Sequence, residues 1–296
     1  MILGTVQLGL NYGVNNRAGK PSGEQAYKIL DTAYENGIRM LDTGPMYGNS
    51  EEIIGSYLQE KGNVFIINTK LPDTVPDEQN LMDSYVEEAL QTSLKRLNVD
   101  RVYCYYLHQY DQCKNHRLME LLVRARDKKQ IEKIGVSIYH PEEMLYICEN
   151  LKDIVDVVQI PYNIFSVTLW EEALERAKEA KIIVYARSLF LQGLAFLSPG
   201  STFSINIGAS KYISYVQELA EQRGQEIEQT CYDAVIKNPI ITDVIFGVET
   251  TGQLLRNLRL EERYMTFSEG QWNGISDVMK DIPRDIVDPT TWGKYK

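Results

Sequence analysis

The sequence predicts an α/β protein, a (β/α)8 TIM barrel in a single domain spanning 1–296, on three observations. Eight short runs rich in β-branched and aromatic residues alternate with longer stretches of helical periodicity. No linker, low-complexity segment or repeat beyond that alternation divides the chain. With 296 residues and 44% hydrophobic content the chain can bury one large core, and barrels of this length are usually single domains. Right-handed strand–helix–strand crossovers make a parallel sheet covered on both faces, and eight units can close it. An open doubly wound sheet is the alternative, but its dinucleotide turn is absent, because "LGTVQLGLNYG" sets its glycines at the wrong steps for G-x-G-x-x-G.

The first run, "ILGTVQL" over 2–8, reads as a strand and leads into the loop "NYGVNNRAGKPSG". A helix over 22–36 precedes "RMLD", residues 39–42. Gly44, Pro45 and Gly48 then mark a turn, and Asn49 or Ser50 can cap a helix over 49–60. "VFIINTK" is the third strand. In "DSYVEEALQTSLKRLNVD" the residues Val86, Leu90, Leu94 and Leu97 share one helical face, and Asn98 suits a left-handed exit. "VYCYYLH", a helix over 116–129, "KIGVS", a helix over 141–151, "VVQIP" and a helix over 168–180 follow. "IIVYARS" runs into an irregular insertion, "LFLQGLAFLSPGSTFSIN", and then two helices over 209–237. "DVIFGV" and a helix over 250–262 complete the barrel. A C-terminal tail runs from about 264 to 296, and its end, "DIVDPTTWGKYK", is expected to cover the barrel or an adjacent subunit.

A net charge of −10 and a pI near 5.0 argue against nucleic acid, whose binding needs clustered Lys and Arg. A small-molecule partner is expected instead, for a monomer or weak homo-oligomer. Cys104, Cys113, Cys148 and Cys231 form no C-x-x-C pair and sit near no histidine at zinc-finger spacing, so they read as reduced thiols, with no metal site. The start "MILGTVQLGL" lacks a basic leader, and no apolar run reaches the roughly 18 residues of a membrane span. A cytoplasmic location is expected.

Barrel active sites lie where the strands end. The runs end in Asp42, Lys70, His108, Ser137, Gln159 and Arg187 with Ser188, and Glu249 lies just past the eighth. His116 and His140 lack such placement and read as solvated surface residues. Singly, each strand-end group has a structural explanation, but three successive strands ending in ionisable residues point to chemistry. A carbonyl that receives hydride needs a proton at its oxygen, and a buried Tyr is a reluctant donor. An ammonium at about 4 Å attracts a phenolate by roughly 4 kcal/mol at an effective dielectric near 20, or about three pKa units, which is expected to match and nearly cancel the desolvation shift it opposes. Lys70 is the candidate cation, Asp42 the carboxylate that keeps it charged, and Tyr47 the proton donor. His108 donates to the substrate oxygen or orients it.

These residues resemble the aldo-keto reductase family. "LDTGPMYGNSE" is similar to its D-x-x-x-x-Y-G-x-S-E stretch, and "SLKRLNVDRVYCYYLH" to its S-L-x-R-L-x-x-D segment and strand-four His. "IGVS", "VVQIPYN" and "FLQGL" follow in family order, from Gly4 to Asn257 overall. The resemblance implies a (β/α)8 barrel, reversible NAD(P)-dependent carbonyl reduction, and a tetrad of Asp42, Tyr47, Lys70 and His108. It also implies that Ser137 and Gln159 hold the nicotinamide carboxamide, and that Ser188, Leu189, Gln192 and Gly193 line the pyrophosphate. Gln253 and Asn257 reach the adenine. Thr5, Asp42 and Gly247 complete the implied cofactor contacts.

Three departures from the family pattern stand out. Ile138 replaces the usual Asn after the strand-five Ser, which removes one amide contact. Where an aromatic often stacks on the nicotinamide, alignment on "QGL" places Arg187, and alignment on the aromatic would select Tyr185; the first keeps the loop without a gap. A fixed guanidinium there disfavours oxidised nicotinamide more than reduced, unless Arg187 only pairs with a rim acid such as Glu249. Glu249 itself repels a 2'-phosphate and suits a ribose hydroxyl, which leans to NAD, whereas the family leans to NADP and Arg256 offers a phosphate partner or a partner for Glu249. The cofactor is therefore NADP or NAD. Two other functions compete with carbonyl reduction, for which a sugar-like substrate is the preferred expectation: a Schiff-base barrel enzyme using Lys70, which a neighbouring Asp42 disfavours, and a cofactor-binding regulatory homologue with little or no turnover. Tyr12, Tyr110, Phe165, Phe190 and Trp292 are candidate aromatic lining.

Overall fold

The computed structural model describes residues 1–12 and 19–295. Eight parallel strands close into a barrel in chain order: β1 (Ile2–Gly4), β2 (Met40–Asp42), β3 (Ile66–Lys70), β4 (Val102–Leu107), β5 (Ile131–Ser137), β6 (Val157–Pro161), β7 (Ile183–Arg187) and β8 (Ile241–Gly247). The register sets Gly4, Asp42, Asn68 and Cys104 level with one another. Ile2, Cys104, Tyr106, Val157, Tyr185 and Ile245 fill the barrel, and a larger apolar layer lies between strands and helices. Residues 13–18 of the loop "NYGVNNRAGKPSG" lie outside the described residues.

The helices are α1 (Val6–Gly9), α2 (Gly23–Glu35), α3 (Ser50–Lys61), α4 (Gln79–Leu97), α5 (His116–Asp127), α6 (Pro141–Asn150), α7 (Glu171–Glu179), α8 (Thr202–Asn206), α9 (Ser210–Arg223), α10 (Ile227–Ile236), α11 (Thr251–Glu262), α12 (Glu269–Met279) and α13 (Arg284–Val287). Asn98 ends α4 in the left-handed conformation, as its position predicts. Residues 6–8, expected as strand, wind into α1, because β2 stops at Asp42 and leaves them nothing to pair with. Neither Asn49 nor Ser50 caps α3 by side chain: Asn49 takes the Lys20 ammonium, and the buried Ser50 hydroxyl donates to Thr5 O at 2.9 Å. His140, expected only as solvated surface, forms a capping box with Glu143 at the start of α6, and His116 is exposed. All four cysteines are free and buried. Among the described residues no helix is long and apolar enough to cross a membrane.

The tail folds back on its own barrel. Buried Trp292 stands edge-on to Phe203 of α8 with ring centres 5.4 Å apart, and Arg284 pairs with Glu142 of α6. It thereby braces the insertion that follows β7.

Candidate active site

A cavity of about 490 Å³ opens at the C-terminal ends of the strands. Asp42, Lys70, His108, Ser137, Gln159 and Arg187 line it from six different strands or strand ends, with Tyr47 on the loop after β2. That loop is held by an interlock with α1. A Cβ on Gly9 would lie 1.7 Å from the Tyr47 carbonyl oxygen, and Gly48, at φ +59, faces Gly9 O. Only glycines let the two backbones approach so closely.

Lys70, only 2% exposed, donates to Asp42 Oδ1 at 2.6 Å and to Thr43 O at 2.7 Å. Its ammonium stands 4.8 Å from the centre of the Tyr47 ring. Gln159 Nε2 donates to the second carboxylate oxygen of Asp42 at 2.6 Å, so both oxygens are engaged. Burial draws the Lys70 ammonium down, but Asp42 and Tyr47 raise it further, and it stays charged above the ordinary lysine value. For Tyr47 the balance differs from the near-cancellation expected. Burial raises the phenol more than Lys70 lowers it, so it remains protonated above the ordinary tyrosine value. A phenol that keeps its proton at neutral pH is still suited to donation where charge develops next to an ammonium.

His108 follows β4 directly and stands against two neighbours. Its Nδ1 meets Oδ1 of Asp73, and its ring stands edge-on to Tyr47 with centres 6.3 Å apart. Burial, then the Lys70 ammonium, lower it below the ordinary histidine value, against the opposing pull of Asp73.

On the opposite wall, Ser188, Leu189, Gln192, Gly193, Gly247, Glu249 and Gln253 reach the cavity. Ser188, Leu191, Gln192 and Gly193 all have positive φ, with values of 59°, 45°, 52° and 91°, the turn chemistry of anion-binding concavities. Gln7 Oε1 is buried without a partner on this wall. A Cβ on Gly247 would come within 2.1 Å of that atom. An orphan acceptor seated against a glycine that leaves room for it, beside a concave turn, fits a dinucleotide with its amide, hydroxyl and phosphate groups.

Several expected residues sit differently. Thr5 lines the cavity, but its hydroxyl is already committed to Asp42 O at 3.0 Å and to Ser50 at 2.9 Å. Gln253 Oε1 accepts from the amides of Glu249 and Thr250, capping α11. Asn257, a turn further along α11, is not among the cavity-lining residues. Arg187 donates to Ile138 O at 3.1 Å and stacks 4.2 Å over Tyr139, rather than pairing with Glu249. Among the described residues no ion pair joins Glu249 to the exposed Arg256.

Of the candidate aromatics, Tyr12 and Phe190 line the cavity. Phe165 is buried in the core, Tyr110 packs on Tyr146 and Trp292 on Phe203. Gln7, Tyr139 and Phe196 line it without having been expected. Tyr139 follows Ser137 by two residues, and that parity was the available signal.

Residues 1–280 match the sequence model of the Aldo/keto reductase family. The chain belongs to the aldo/keto reductase family. It is thus an oxidoreductase of a family that reduces carbonyl groups with NAD(P)H. Among its relatives, the uncharacterized oxidoreductase YqkF of Bacillus subtilis is 26% identical over 252 residues, 79% of this chain and 81% of that protein. The Schizosaccharomyces pombe aldo-keto reductase yakc [NADP(+)] is 31% identical over 128 residues, covering 40% of this chain and 38% of that one. The fold is also that of the holo form of aldo-keto reductase AKR11C1 from Bacillus halodurans, at a TM-score of 0.72 and 19% identity over 94% of this chain and 91% of that one.

Proposed function

We propose that this reductase converts an aldehyde or ketone to the alcohol with Tyr47 as proton donor, and that it favours NAD(H). The observation that carries the reading is the buried Lys70 ammonium, bonded to Asp42 on one side and set against Tyr47 on the other, on the floor of the shared cavity. When bound, a reduced nicotinamide supplies the hydride. Tyr47 gives its proton to the oxygen that gains charge, and Lys70 stabilises the phenolate left behind. Asp42 keeps Lys70 cationic throughout, and Gln159 fixes the carboxylate. Ser137 and Gln159 would hold the carboxamide, and the turn from Ser188 to Gly193 the phosphates. The aromatic faces of Tyr12, Tyr139 and Phe190 suit a sugar-like substrate.

Glu249, half-buried at the cavity edge with no paired cation among the described residues, supports a ribose hydroxyl over a 2'-phosphate. NADH is therefore expected to bind more tightly than NADPH at low salt, with a smaller margin at moderate salt. Titration of both cofactors checks this, and a strong NADPH preference overturns it. Oxidation of reduced cofactor across a broad aldehyde panel tests the activity itself. Tight cofactor binding without any turnover would support the regulatory alternative.

Arg187, pinned by Ile138 O and Tyr139, opposes a cationic ring on its wall. Arg187→Met is expected to improve affinity for the oxidised cofactor by about tenfold relative to the reduced one. Fluorescence titration of both forms checks it, and equal changes in the two overturn it.

A further inference from the structure

The two ring nitrogens of His108 are not equivalent. Nδ1 meets the Asp73 carboxylate, which only accepts, so Nδ1 carries the hydrogen. This contact is built in. Gln112, in the 3-10 turn after β4, donates Nε2 to the carbonyls of Pro72 at 2.9 Å and Asp73 at 3.1 Å. Its Oε1 accepts the Gln109 amide at 3.1 Å. The clamp ties the loop after β3 to the loop after β4 and sets Asp73 against the imidazole.

The other charged or titratable groups acting on the ring are Lys70 of β3, Arg187 of β7 and Tyr47 after β2. Burial and the two cations favour the neutral imidazole. A neutral ring with hydrogen on Nδ1 presents a bare lone pair at Nε2.

We infer that Asp73 is a positioning residue that fixes this tautomer, so that His108 Nε2 accepts a hydrogen bond in the cavity and selects carbonyl substrates with a hydroxyl on the adjacent carbon. The substrate half rests on the reductase reading above; the tautomer does not. A carbonyl oxygen brings no hydrogen to a lone pair, so Tyr47 is its donor. A hydroxyl on the next carbon supplies the hydrogen that Nε2 lacks. A plain aldehyde offers Nε2 no hydrogen and leaves it to water alone.

Two measurements on the full chain test this. Nitrogen-15 spectra of the three histidines at neutral pH, with His108 assigned by its loss in His108→Gln, are expected to show hydrogen on Nδ1 in the wild type. Asp73→Ala is expected to shift that ring toward hydrogen on Nε2. A wild-type ring with hydrogen on Nε2, or an unchanged spectrum in Asp73→Ala, overturns the role of Asp73.

The second measurement compares kcat/KM for lactaldehyde and propanal, which differ by one hydroxyl at the relevant carbon. The wild type is expected to prefer lactaldehyde by about tenfold, and Asp73→Ala to bring the ratio near one. Asp73→Asn, whose amide oxygen still accepts from Nδ1, is expected to keep most of the preference. Equal wild-type rates, or a preference undiminished in Asp73→Ala, overturn the substrate selection. Turnover of neither aldehyde overturns the reductase reading and the selection together, while the spectra still decide Asp73.

Discussion

Replacing Tyr47 with Phe is expected to lower carbonyl reduction by about 10²- to 10⁴-fold, the range for loss of a positioned proton donor. Cofactor affinity should change little, because the cofactor wall is built mainly from residues after β5 to β8. The ring of Tyr47 packs beside His108 and Lys70, and Phe keeps that packing while removing only the hydroxyl. Steady-state rates with the best aldehyde of a panel, together with a cofactor titration, separate the two effects. A variant that retains most of its kcat would overturn Tyr47 as donor.

Lys70→Met should have a double effect. Removing one member of a buried ion pair leaves the other uncompensated and costs about 3–5 kcal/mol. Asp42 is 4% exposed and would keep only Gln159 for support. Stability in urea is expected to fall by that amount, and turnover to be lost with it. The double variant Lys70→Met with Asp42→Asn should recover much of the stability and none of the turnover, which separates fold from chemistry. A single variant as stable as the parent would overturn the assignment. The pH sign follows from the raised Lys70 value. The stabilisation is fully present below the ordinary lysine pKa and is lost as pH rises through the raised one.

The polar strand ends were legible because a parallel barrel sends successive strand ends to one rim, so alternation and a terminal residue suffice to place Asp42, Lys70, His108, Ser137 and Gln159. What escaped reading depends on contacts between loops. "VQL" carries the residues of a strand and becomes a helical turn because of where β2 stops. That the tail covers the barrel or an adjacent subunit was legible, but which of the two was not, because its buried Trp292 answers to Phe203, nearly ninety positions earlier in the chain. Asp73, only three residues past Lys70, gives no signal until the Gln112 clamp brings its loop against His108. The balance at Tyr47 was misjudged for a related reason: the depth of burial is set by packing that no local pattern records.

Asp42 takes its two partners from β3, next to it, and from β6, diametrically across the ring of eight. A refolding chain therefore cannot assemble its electrostatic centre by local steps. Until the far side of the cylinder arrives, the carboxylate is solvated on one oxygen, and competence for turnover should return no sooner than circumferential closure.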